Sequence, residues 1–146
     1  MKSLLLSVLV VIGTMCFAQT AMDGWNVFAR VKFNSQYFKE LKEYFLVPAF
    51  DATTKAKEGT SVTLKGYYLP MDLEDVKTII ISKKPYAECF FCGGAGPESV
   101  AEISFSSKPP RLKADQVITV RGKLKLNDTN INHLNFILTN AEIVTK

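Results

Sequence analysis

Histidine, tryptophan and cysteine are scarce in this chain: one, one and three among 146 residues. With a single histidine, His133, and no nucleophile-elbow sequence, no Ser-His-Asp order can be assembled. A structural zinc takes four ligands, commonly in two paired sets, and only one such cysteine pair is present. Charge of one sign is also lacking. Eighteen basic residues face fourteen acidic ones, and beyond Lys2 the lysines run from Lys32 to Lys146 without a dense block. That diffuse balance implies neither a nucleic acid nor an anionic membrane as partner. No internal repeat or low-complexity tract appears, and the one long apolar run, Leu4 to Ile12, lies at the start.

That run follows Lys2 and precedes Met15-Cys16-Phe17-Ala18-Gln19, the charged, apolar and small-residue order of a secretory leader. It is short for a membrane span, which needs roughly 20 apolar residues. Cleavage is expected after Ala18. The rival is lipoprotein processing at Cys16, but Met15 stands where a small residue is favoured. Removing residues 1–18 from 146 leaves 128, a one-domain length with room for a real core. The loss of Lys2 lowers the formal charge from +4 to +3, and the loss of Cys16 leaves two cysteines, Cys89 and Cys92. An even count in an oxidising compartment favours a bond between them. The expected location is the periplasm or the medium, with no membrane span after the leader.

The rest reads mainly as strand. Trp25, Val27, Ala29, Val31 and Phe33 alternate with more polar neighbours, a period-two pattern that Phe28 breaks. Residues 37–46 suit helix or strand, and Pro48 is expected to stop either. Residues 51–60 form a polar connector. Val62, Leu64, Gly66 and Tyr68 then share one face of a strand that Pro70 ends. Val76 to Ser82, with Ile79-Ile80-Ile81, has buried-strand character, and Val100 to Phe105 is a short strand. Over Gln116 to Leu126, Gly122 lies on the apolar face and predicts a bend or bulge. Asn127-Asp128-Thr129-Asn130 is a turn cluster. Leu134 to Val144 is the last strand, broken near Asn140. Five short strands with a long central connection predict an all-β fold with minor helix. The expected form is a small Greek-key OB-like barrel over 61–146, behind an N-terminal extension over 19–60 whose residues 25–50 form an extra layer. A generic β-sandwich is the competitor.

The most chemically loaded stretch is Cys89-Phe90-Phe91-Cys92-Gly93-Gly94-Ala95-Gly96-Pro97-Glu98. Three readings stay open. In the first, the thiols form a disulfide or a buried pair that fixes a loop, Phe90 and Phe91 plug the core, and Gly93, Gly94 and Gly96 permit positive φ. A ring that short gains little from loop closure. In the functional version, the loop presents its Phe rings or backbone N–H groups, in an anion-binding nest, to a partner. In the second reading the thiols hold a thiophilic metal, zinc or copper, alone or with Glu98 and His133. In the third they are a redox pair, although a helix beginning at Pro97 would start five residues past Cys92 and the βαβ setting is absent. The acidic group Asp72, Glu74 and Asp75 reads as a solvated loop. OB folds often bind single strands, but Tyr67 and Tyr68 read as barrel wall rather than a stacking platform.

Gly66-Tyr67-Tyr68-Leu69-Pro70, the cysteine loop and Val120-Arg121-Gly122-Lys123-Leu124 together resemble a family of exported Bacteroidetes-type proteins to which no reaction is assigned. The resemblance covers roughly residues 25–146. It implies a periplasmic β-rich domain of OB type and carries over no catalytic residue. The combined expectation is an exported, non-enzymatic module of the cell envelope. It would bind an envelope protein or small ligand, with the Cys89–Cys92 loop as its distinctive surface.

Overall fold

The computed structural model of the protein describes residues 22–145. The expected leader, with Cys16 and Ala18, lies outside them. Where alternation predicts a strand over residues 25–33, the chain instead passes from a two-residue strand, β1 (Met22–Asp23), into a short helix, α1 (Gly24–Phe28). Asp23 explains the departure: its carboxylate accepts the Trp25 N–H and the Asn26 amide, each at 3.0 Å, and so caps the first turn. Phe28, the misfit of the strand pattern, becomes fully buried and stacks on Phe136 with ring centroids 4.0 Å apart. Tertiary burial has overridden a local alternation.

Residues 37–46 resolve as the tip of an antiparallel hairpin, β2 (Lys32–Phe38) with β3 (Glu43–Ala49), which forms a two-stranded sheet of its own. Lys42 turns the tip with φ 56°. Pro48 does not stop β3. It sits within the strand opposite Phe33, in a ribbon whose outer edges need no N–H. The polar connector holds one helical turn, α2 (Ala52–Lys55), capped by the Asp51 carboxylate accepting the Thr54 N–H at 2.7 Å.

The remaining strands are β4 (Ser61–Leu69), β5 (Thr78–Ser82), β6 (Val100–Phe105), β7 (Val117–Leu126) and β8 (Phe136–Ile143). β4 pairs with β5 at its C-terminal end and with β7 along most of its length. β5 pairs with β6, β6 runs parallel to β8, and β8 returns to β7. The circuit closes, so the fold is the five-stranded OB-like barrel and not a sandwich. Val62, Leu64, Ile79, Ile81, Ile103, Ile118, Val120, Leu124 and Leu138 fill its interior, and Trp25, Val27 and Phe28 of α1 belong to the same core. Part of the expected extra layer is therefore a helical component of the barrel core, tied by the Trp25 indole N–H to the Lys65 carbonyl at 2.9 Å. A bulge is present opposite Gly122, but its extra residue lies in β8 and not in the glycine's own strand. The β7–β8 register shifts between Arg121 and Lys123, opposite Asn140, whose φ is 50°. β5 starts at Thr78 rather than Val76, because Asp75 accepts the Lys77 N–H at 2.9 Å and the Thr78 hydroxyl at 2.8 Å and holds a turn there.

The three consecutive isoleucines of β5 have a simple cause. Ile79 and Ile81 point into the barrel, while Ile80 joins Leu69, Val100 and Cys89 in a second cluster outside it. Both faces of β5 are covered, which a strand in a one-sided sheet would not need. Among the described residues no helix is long and apolar enough to cross a membrane.

Candidate functional site

The β5–β6 connection, residues 83–99, folds as three successive 3-10 turns over Tyr86–Glu88, Phe90–Cys92 and Pro97–Ser99. Its ends are anchored by the Lys83 N–H to the Ser99 carbonyl at 2.8 Å and by the Tyr86 N–H to the Asp115 carboxylate at 2.7 Å. The centre is held from below by Cys89, which is fully buried against Leu69, Ile80 and Val100. The Cys89 carbonyl accepts two N–H groups, from Cys92 at 3.1 Å and Gly94 at 3.2 Å, and the Gly93 N–H goes to the Phe90 carbonyl at 3.0 Å. Gly93 needs its glycine for φ +76°, and a Cβ on Gly94 would lie 2.6 Å from the Glu88 carbonyl oxygen. Gly96, by contrast, has an ordinary negative φ, so positive φ is required at one of the three glycines.

The two sulfurs lie 3.9 Å apart as free thiols. One is buried and one exposed, and the exposed Cys92 thiol also donates to the Tyr86 carbonyl at 3.2 Å. Partial desolvation, and then the neighbouring Cys89 thiol, push the Cys92 thiol above its ordinary pKa. That is the reverse of the activation a nucleophilic redox cysteine needs, and a three-residue turn supplies no helix dipole to offset it. The nest reading also fails for Gly93 and Gly94, whose N–H groups are spent inside the loop. Of the two rings, Phe90 packs against the second cluster while Phe91 remains 43% exposed. Pro97 is buried as the first residue of its turn.

The structure does not gather the expected metal set. Among the described residues no three of the histidine, cysteine, aspartate and glutamate side chains come together as ligands. His133 is committed elsewhere: its Nδ1 meets both Glu102 carboxylate oxygens, at 2.9 and 3.1 Å. Glu102 also accepts the Leu134 N–H at 3.2 Å. Spacing alone could not reveal this pair, since β6 and the β7–β8 loop meet only through the parallel β6–β8 register. Glu98 stays in the loop beside Gly96.

What the loop does border is a groove of about 380 Å³ between Phe90, Pro97 and Val100 on one side, β3 on another, and the β7–β8 loop on the third. Phe38 and Phe45, edge-to-face at 5.3 Å, line the hairpin wall together with Leu46 and Pro48. Ile131, His133 and Leu134 line the opposite wall. That wall is organised by the buried Asn127. Its amide donates to the carbonyls of Asn130, His133 and Leu134 at 2.7–3.2 Å, and its Oδ1 accepts the Asn130 N–H. The turn cluster foretold a turn but not this wall, and nothing in the sequence pointed to Phe38 and Phe45 as groove residues. A second cleft, about 700 Å³, opens on the outer face of β5, β6 and β8. It carries Asp72, Glu74, Asp75 and Glu102 against Lys125 and His133. The acidic group is thus brought beside the Glu102–His133 pair. Asp75 is held below the usual carboxylate range by the Lys77 N–H and then by the Thr78 hydroxyl. Tyr68 packs at the edge of the barrel core.

No family model, curated protein or solved structure matches this chain.

Proposed function

We propose that the protein is an exported, non-enzymatic binding module of the cell envelope. Its recognition face is the groove that the cysteine loop shares with the β2–β3 hairpin and the β7–β8 loop. The observation that carries this reading is the groove's lining: aromatic and aliphatic side chains from three separate elements around one concave space, with a few polar groups at its rim. A flat ligand or an aromatic side chain of a partner protein fits such a wall of rings. Support for export rests on the leader pattern, and the four carboxylates of the second cleft disfavour a phosphate backbone on that face of the barrel.

Leu46 and Ile131 are the substitution sites of choice, because both are about half exposed and carry little of the core. An aromatic fragment set is screened by amide chemical shifts against residues 19–146. The expected result is ligands that shift residues 44–48 and 128–135, and that lose binding at least tenfold in Leu46→Glu and Ile131→Glu. Fragments that bind equally well to both variants, or shift only residues remote from the groove, would refute the reading.

A further inference from the structure

We propose that Cys89 and Cys92 form a reversible modification site, oxidised to an intramolecular disulfide by exchange with a disulfide-bearing partner and reduced again by a dithiol. The change of state also resets the Phe90 wall of the groove. This second clause rests on the groove being the recognition face; the first does not.

Three observations carry it. The sulfurs are already in contact at 3.9 Å, and a bond requires closing to about 2 Å, a shift within the reach of two χ1 rotations in one tight turn. The two thiols are unequal in access, since Cys92 is exposed and Cys89 fully buried. An incoming disulfide therefore meets Cys92 first, and Cys89 waits behind it in an apolar cluster where a neutral disulfide is at home. Finally, no strand pairing of the barrel runs through Cys92, so a bond there acts on the loop rather than on the fold. Phe90, between the two cysteines, and Pro97, five residues beyond Cys92, are the loop's contributions to the groove.

The exchange balances without a cofactor. Cys92 gives its proton to solvent and its thiolate attacks one sulfur of the partner's disulfide. A mixed disulfide forms, and the partner's other sulfur leaves as thiolate. Cys89 then loses its proton, and its thiolate attacks the Cys92 sulfur, expelling the partner's remaining sulfur as a second thiolate. Two electrons pass from the cysteine pair to the partner disulfide, which takes up two protons and becomes a dithiol. The raised pKa of Cys92 makes the pair a substrate of such exchange rather than a catalyst of it.

The test uses residues 19–146, reduced and then equilibrated near neutral pH in graded mixtures of glutathione and glutathione disulfide. Acid quenching, alkylation and mass measurement count the thiols. The expected result is one transition in which both thiol hydrogens are lost together and no glutathione adduct accumulates. Cys89→Ala should trap an adduct on Cys92, whereas Cys92→Ser should form adduct at least tenfold more slowly. Retention of both thiols in fully oxidised buffer, or equal adduct rates in the two variants, would overturn the site. Amide shifts of the two redox states give the second readout. Changes at residues 44–48 and 128–135 are expected, and changes confined to residues 86–94 would overturn the coupling to the groove. Neither readout needs a ligand, so an oxidisable pair beside a groove that binds no fragment refutes only the proposed function.

Discussion

Serine substitution at the two cysteines should separate them sharply when both variants are kept under reductant, so that no disulfide contributes. Cys89 is fully buried among the apolar Leu69, Ile80 and Val100, and the partner of its thiol is the weakly accepting Cys92 sulfur at 3.9 Å. Cys89→Ser there loses roughly 1 kcal/mol of apolar transfer and adds a hydroxyl whose unmet desolvation costs about 1–2 kcal/mol. The expected loss is about 2–3 kcal/mol, or about 8–12 °C in Tm for a chain of this size. Cys92→Ser keeps an exposed group that can still donate to the Tyr86 carbonyl as the thiol does at 3.2 Å, and should stay within about 0.5 kcal/mol of the parent. Cys89→Ala, which keeps the cluster apolar, should cost less than Cys89→Ser, at about 1 kcal/mol. Urea unfolding followed by Trp25 fluorescence reads all three. Equal losses for the two serine variants, or a larger loss for alanine than for serine at 89, would refute the burial argument and the unequal access that the redox site depends on.

Two further outcomes follow from the groove wall and from the turn before β5. Asn127→Ala removes the acceptor for one N–H and the donor for three carbonyls, and should cost about 2–4 kcal/mol. Hydrogen exchange should then accelerate at residues 128–135 before it does in β4 or β7; uniform acceleration would mean that Asn127 serves the whole fold instead of the wall. Asp75 in the folded chain ionises below its ordinary value of 3.8, chiefly through the Lys77 N–H, so its contribution is full above about pH 4 and is lost as the pH falls through the folded value. The stability gap between the parent and Asp75→Ala should therefore be present at neutral pH and narrow in acid. A gap that widens in acid would contradict the assigned hydrogen bonds.

How much of this was legible beforehand follows the range of the forces involved. Strand signals are local: alternation, where one face meets the barrel core, and the continuous apolar run of β5, covered on both faces, placed β4 to β8 to within about two residues. The glycine at 122 and the break expected near Asn140 marked the irregularity between β7 and β8, where a side chain at 122 has little room and the register shifts. Even the contact of the two sulfurs was close to determined by three positions of separation in one turn. Helix α1 was misread because Asp23 caps it and Phe136 stacks on Phe28, and the second of these contacts reaches across more than a hundred residues. The pairing of His133 with Glu102, rather than with the cysteines, likewise depends on the parallel β6–β8 register.

The amino-acid sequence by itself determined the barrel's strands, the leader pattern and a tight loop carrying two thiols, because periodicity, composition and short spacing are written residue by residue. Only the tertiary structure decided that Cys89 is buried while Cys92 is exposed, and that the hairpin, the cysteine loop and the Asn127 wall enclose one groove. Burial and concavity belong to no segment: they arise where elements distant in the chain exclude water from the same place.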